Sequence, residues 1–276
     1  MSGGRGGRGE APPGGGAQGG KVPGKEALRP QPAKRLYKAV GVEAVGGAAE
    51  ASPTFRILLD GRPIKTPRKR LLALPREALA AAIAAEWTAQ GDLIEPASMP
   101  LTRIANTAID AVCDHMAEVV ADIVAYAGSD LLCYRAEGPR DLARRQVEAW
   151  DPVLAWAEEA LGARFVLAEG VMPIEQPASA KATVAAALRD FGPFGLAAVH
   201  VLTTLTGSAL LALAHARGRI SADEAWAAAH VDEDYQIELW GVDLEASERR
   251  RQRRSELEAA SRMLHLSGEG VVEQAR

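Results

Sequence analysis

The chain has 276 residues, 47% of them hydrophobic, and 32 basic against 36 acidic side chains give a formal net charge of −4. That length and apolar content suit one or two globular domains, and the near-balance of charge excludes a whole-molecule field able to gather phosphates or nucleic acid. The two cysteines, Cys113 and Cys133, lie in apolar, helical-looking surroundings without CxxC spacing. They read as reduced core residues of an intracellular protein, with neither a disulfide nor a zinc site expected.

Residues 1–33 are rich in glycine, proline and arginine and lack the apolar core of a secretory signal, which predicts a disordered tail. Within it, "GGAQGGKV" has the glycine and lysine spacing of a phosphate loop, but Val22 stands where a magnesium-binding hydroxyl belongs and no strand precedes it. The "GGRGGRG" run offers too few cations for strong RNA binding, so no nucleic-acid partner is expected. From 34 to 75 the pattern alternates with period two. Asp60-Gly61, between "TFRILL" and "RPIKTP", is a strong hairpin signal, because a type I′ turn needs positive φ at both central residues. "LYKAVGVEAV" and "LLAL" are two further strand candidates, completing a small antiparallel β unit.

From 76 to 266 the chain is alanine-rich with helical periodicity, ahead of a short flexible tail at 267–276. Pro75 suits a first helical turn; Leu79, Ile83 and Trp87 mark one face, and Gly91 offers a stop. Leu101, Ile104, Ala108 and Val112 define a second helix. "RDLARRQVEAWDPVLAWAEEALG" predicts two helical stretches broken at Asp151-Pro152, since proline disfavours α geometry in the residue before it. "RFVLAEGV" suits a single strand or an extended connector, and a helix is predicted over Ala178 to Asp190. The run from Phe194 to Ala214 is long enough to span a bilayer, but its threonines, serine and histidine favour a central buried helix, with no membrane insertion. Gly207 inside it suggests close helix packing. A long last helix is predicted from Ser221, whose S-x-x-E spacing to Glu224 forms a capping box. The fold class is therefore α+β, a small β-rich N-terminal domain followed by a larger helical one.

The last helix carries "HVDEDYQIELWG", His230 to Gly241. On a regular helix Trp226, His230, Asp234 and Ile237 share one side, and Ala228, Val231, Tyr235 and Val242 another. Asp232, Gln236 and Leu239 to Trp240 line a third stripe, with Glu233 beside it. Metal-assisted or carboxylate-dependent hydrolysis by Asp232, Asp234 and His230 is one reading. Against it stand the absence of HExxH, of a Glu-x-x-His pair, of GxSxG and of a strand-to-helix GxGxxG. Neither a metal nor a cofactor is expected. Acids mixed with Tyr235, Gln236 and Trp240 also have the makeup of a protein interface. The alternative, in which both aromatics are core and the acids solvate the helix, is equally open from the residues alone.

"VGVEAV", "FRILLDGRPIKTP", "AAEWTAQGDLIEPASMPLTRIANTAID", "YAGSDLLCYRAEGP" and "LTGSALLALAHARGRISADEAWAAAHVDEDYQIELWG" resemble, in that order, the assembly chaperones of the F-type ATP synthase that attend its free alpha subunit. The match runs from about Lys34 to Glu245 and departs from the pattern at Pro173. The resemblance implies a non-enzymatic chaperone, monomeric when free, that shields the beta-facing surface of the alpha subunit until beta pairs. It places functional weight on Asp232, a position that is glutamate in some members; the mixed acidic and aromatic makeup of the helix adds Glu233 and Gln236 as further polar contacts and Trp240 as an anchor. The resemblance makes Trp87 a signature position, read here as packing of the first helix against the β unit. Relatives occur in bacteria and mitochondria, which implies a bacterial cytoplasm, or the mitochondrial matrix if the source is eukaryotic.

Overall fold

The computed structural model describes residues 33–46, 53–170 and 172–269. The glycine-rich tail expected at 1–33 lies outside them up to residue 32, as do residues 270–276 of the expected C-terminal tail. The described chain is α+β: an antiparallel sheet at the N-terminal side, then helices. Strand β1 (Val40–Val45) pairs along its whole length with β2 (Thr54–Leu59), from Val40 opposite Leu59 to Val45 opposite Thr54. Strand β2 also pairs with β3 (Arg62–Pro63) and with β4 (Ala73–Leu74). The hairpin turn is the expected one, with Asp60 at φ 48° and Gly61 at φ 77°. The Asp60 carboxylate also accepts the Lys38 and Ala39 N–H groups, and these bonds hold it ionised below the usual carboxylate range.

Helix α1 (Glu77–Thr88) packs on β1 and β2 and buries Leu79 and Ile83 in the same core as the fully buried Ile57 of β2. It ends at Ala89 in right-handed geometry, two residues short of the glycine expected to stop it. Trp87 is half-buried, edge-on to Tyr37 at 5.9 Å between ring centroids, while the Tyr37 hydroxyl donates to the Trp87 carbonyl at 2.6 Å. Trp87 thus joins α1 to the chain entering β1. Because Trp87 is only partly buried, Trp87→Ala is expected to cost about 3 kcal/mol, near the low end for a tryptophan truncation. Denaturant unfolding measures this, and a loss under 1 kcal/mol would show that the contact carries no packing weight.

Helix α2 (Pro100–Asp110) buries Leu101, Ile104 and Ala108 as the spacing predicts, and α3 (Met116–Gly128) follows a 3₁₀ turn. That turn leaves Cys113 exposed, contrary to the core position expected, because a 3₁₀ turn rotates it away from the buried face that Val112 keeps. Cys133 is buried. Helix α4 (Arg140–Trp156) runs straight through Pro152, where a break was expected, and continues into a π-helical turn, Ala157–Leu161. Burial of Trp150 and Val153 on either side of the proline outweighs the local penalty at Asp151. Strands β5 (Tyr134–Arg135) and β6 (Ala168–Glu169) pair in parallel, so "RFVLAEGV" contributes a two-residue strand whose partner lies more than 30 residues earlier in the chain.

Helix α5 (Ala178–Ala187) precedes the apolar run. The single buried helix expected there is two, α6 (Pro193–Thr206) and α7 (Ala209–Ala216). Among the described residues no helix is long and apolar enough to cross a membrane. Helix α6 is the centre of the helical layer: Phe194 to Val199 are all buried, and α2, α3, α7 and α10 (Leu244–Ser267) pack around it. The break is local chemistry. Gly207 adopts φ 69° as a left-handed C-terminal cap, and Ser208 accepts the Leu211 N–H as the next N-cap. Close packing, the reason expected for this glycine, is not the cause, since an added Cβ would lie 4.0 Å from its nearest neighbour, Leu131 Cβ. Positive φ requires it.

Candidate docking surface

The helix expected from Ser221 begins with the capping box: Ser221 Oγ accepts the Glu224 N–H, and the Glu224 carboxylate accepts the Ser221 N–H. It does not continue to Trp240. It splits at His230 (φ −118°, ψ 18°) into α8 (Ala222–Ala229) and α9 (Val231–Trp240). The His230 ring lies stacked on Trp226 at 3.8 Å, and its Nδ1–H donates to the Trp226 carbonyl at 2.8 Å. That is the carbonyl which the backbone N–H of residue 230 would take in an unbroken helix, so the side chain displaces the ladder and a second helix starts. Asp232, Glu233 and Asp234 then occupy the first turn of α9, where the helix dipole favours negative charge. Part of the acidic cluster is explained by that alone.

Helix α9 has no buried residue. Val231 at its start packs, partly buried, against the core, and polar contacts along one stripe hold the rest. Gln146 of α4, itself only 1% exposed, donates Nε2–H to Asp232 Oδ1 at 2.7 Å and accepts the Ala136 N–H at 2.8 Å. Three residues on, Tyr235 lies beneath the Arg145 guanidinium, 5.3 Å from the ring centroid. Three further, Glu238 accepts a two-pronged bond from Arg145, both distances 2.8 Å, which lowers the Glu238 pKa and raises that of Arg145. On the opposite flank Arg250 of α10 pairs with Asp234.

The four expected site residues divide between two faces. Glu233, Gln236 and Trp240 follow i, i+3, i+7 spacing and border one cleft, about 290 Å³, closed by Ile237, Val242 and Arg250. Asp232 lines a different cleft of about 420 Å³, with Tyr134, Arg135, Glu137, Gln146 and Gly170. Trp240 is 85% exposed, so it is not core; Tyr235 is half-buried. Leu239, Val242 and Leu244 extend the exposed apolar surface past Trp240 around the turn at Gly241. Single exposed apolar residues are ordinary, whereas four within six positions form a patch.

The constellation named for hydrolysis does not assemble. Asp232 turns to Gln146, Asp234 to Arg250 and His230 to the Trp226 carbonyl, and burial lowers the His230 pKa. Among the described residues no three His, Cys, Asp or Glu side chains group as metal ligands. The arginine-rich run of α10 is likewise satisfied internally: Arg249, Arg250, Arg251 and Arg254 pair with Glu245, Asp234, Glu248 and Glu258, and Arg253 donates to the Leu205 carbonyl. Arg145 and Gln146 escape sequence reasoning, because they stand 93 and 86 residues from the groups they hold and no local motif marks them.

This architecture is shared with chaperones. Residues 34–158 match the profile of the ATP12 chaperone protein. A candidate chaperone from Agrobacterium tumefaciens is 48% identical over 84% of this chain and 85% of its own, with a TM-score of 0.79. Atp12 from Paracoccus denitrificans is 42% identical over 85% of this chain and 98% of its own, with a TM-score of 0.78, and an aspartate-to-lysine variant of the Paracoccus protein matches equally. The chain belongs to the ATP12 chaperone family.

Proposed function

We propose that this chaperone serves assembly of the F-type ATP synthase by binding the free alpha subunit and shielding its beta-facing surface until beta pairs. The observation that carries the reading is the exposed apolar corner Leu239, Trp240, Val242 and Leu244, set beside the acidic first turn of a helix with no buried residue of its own. An obligate hetero-oligomer subunit exposes apolar surface until its partner arrives, and such a patch aggregates unless covered. An apolar anchor ringed by charge fits that task, since the anchor supplies affinity and the charges set register. Glu233, Gln236 and Trp240 form the proposed contact surface, and Asp232, turned to Gln146, holds the helix that presents it. The protein acts without catalysis or cofactor, as a monomer when free, in the cytoplasm of a bacterium.

Co-expression with the cognate alpha subunit in the absence of beta tests this. Alpha is expected to stay soluble and to co-purify. Trp240→Ala is expected to weaken capture by at least about 30-fold, the loss of about 2 kcal/mol typical of an interfacial tryptophan anchor, with unchanged thermal stability. If alpha neither binds nor gains solubility with the wild-type chain, the reading fails.

A further inference from the structure

We infer that Arg145 and Gln146 of α4 are the positioning residues of the docking helix, and that Asp232 acts chiefly by accepting the Gln146 hydrogen bond. The inference rests on the docking role proposed for α9. The Gln146 amide cannot rotate freely, because its oxygen is engaged by the Ala136 N–H; its nitrogen is therefore fixed as a donor aimed at Asp232 Oδ1. Any acceptor at 232 satisfies that donor. A cation there leaves a buried amide N–H unpaired and places a second donor beside it. Charge reversal at Asp232 thus unseats the N-terminal end of α9 whether or not the carboxylate touches a client.

The second pin, the Arg145 fork on Glu238 over the Tyr235 ring, fixes the other end. Asp232, Tyr235 and Glu238 are the stripe turned to α4; Glu233, Gln236 and Trp240 are the stripe left outward. Val231 packs, partly buried, against the core at the N-terminal end of α9; along the rest of the helix, where no residue is buried, these polar pins decide which stripe a client meets. Asp232 lies in the cleft away from Trp240, as a positioning residue should.

The test compares alpha-subunit capture and amide hydrogen exchange over 231–240 in wild type and variants. Asp232→Asn keeps an acceptor for Gln146 and is expected to bind within about threefold of wild type, whereas Gln146→Met, which touches no exposed surface, is expected to weaken binding by about tenfold and to speed exchange in α9. Should burial make Gln146→Met fold poorly, the exposed pin gives an independent arm: Arg145→Glu is expected to weaken binding, and adding Glu238→Arg to restore it by re-forming the pair with reversed polarity. The inference is overturned if Asp232→Asn abolishes capture as completely as Asp232→Lys, or if folded Gln146→Met and Arg145→Glu both bind as wild type does. Absence of capture by the wild-type chain would instead strike the proposed function, so the two failures are distinguishable.

Discussion

Replacing Asp130 by alanine is expected to destabilise the protein by about 3 kcal/mol and to remove a pH dependence that the wild type shows between about pH 4 and pH 6. Asp130 is fully buried at the junction left by the break in the apolar run. Its two carboxylate oxygens accept the Leu132 and Leu210 N–H groups, each at 3.1 Å, and the Leu131 N–H reaches the Gly207 carbonyl beside them. One side chain therefore caps both a 3₁₀ turn and the start of α7. Alanine leaves both N–H groups buried and unpaired, at about 1 to 3 kcal/mol each, before any relaxation. Burial outweighs these bonds in setting the titration and pushes the carboxyl up to about 6 from 3.8. A raised folded-state pKa means that the native state holds the proton where the unfolded state has lost it. The contribution from this group is accordingly complete below about pH 4 and is lost as pH rises through about 6. Denaturant unfolding of both proteins from pH 4 to 8 should show the wild-type advantage narrowing over that interval and flat above it. A constant gap would mean that Asp130 is ionised throughout.

What was legible in the sequence shares one property: its signal is local. Asp60-Gly61 needs only its own two φ angles to make a hairpin, and Ser221 with Glu224 needs only one helical turn. The division into a β unit and a helical part follows from periodicity, which is also local. The errors arise where a side chain or distant packing competes with that pattern. Gly207-Ser208 spells a C-cap followed by an N-cap, a local signal masked by the continuous apolar run on either side of it. The break at His230 depends on a ring nitrogen taking the Trp226 carbonyl, and nothing in the residue types announces it. Helix α4 passes through Pro152 because Trp150 and Val153 are buried by partners far along the chain. The surface follows the same division. Glu233, Gln236 and Trp240 share a cleft by helical spacing alone, whereas the inward turn of Asp232 depends on Gln146, which only the tertiary fold brings near.

Trp150→Ala is expected to be more damaging, at about 5 kcal/mol, and to separate packing from hydrogen bonding when compared with Trp150→Phe. Trp150 is 1% exposed in the middle of α4, and its Nε1–H donates to the Ala228 carbonyl at 2.7 Å. Ala228 lies in the last turn of α8, where carbonyls have no partner within the helix, so the indole caps α8 as well as filling the space beneath it. The Arg135 guanidinium stacks 5.1 Å from the ring centroid. Alanine removes the packing, worth about 3 to 5 kcal/mol for a buried aromatic, and leaves the Ala228 carbonyl unpaired, at about 1 to 3 kcal/mol more. Phenylalanine keeps much of the ring and loses chiefly the bond, for an expected cost of about 2 kcal/mol. The same helix carries Arg145 and Gln146, so loosening the α4–α8 contact should also speed amide exchange in α9, the next segment along the chain. Equal losses for alanine and phenylalanine would assign the whole effect to the Ala228 bond. A phenylalanine variant as stable as wild type would show that the carbonyl finds water instead.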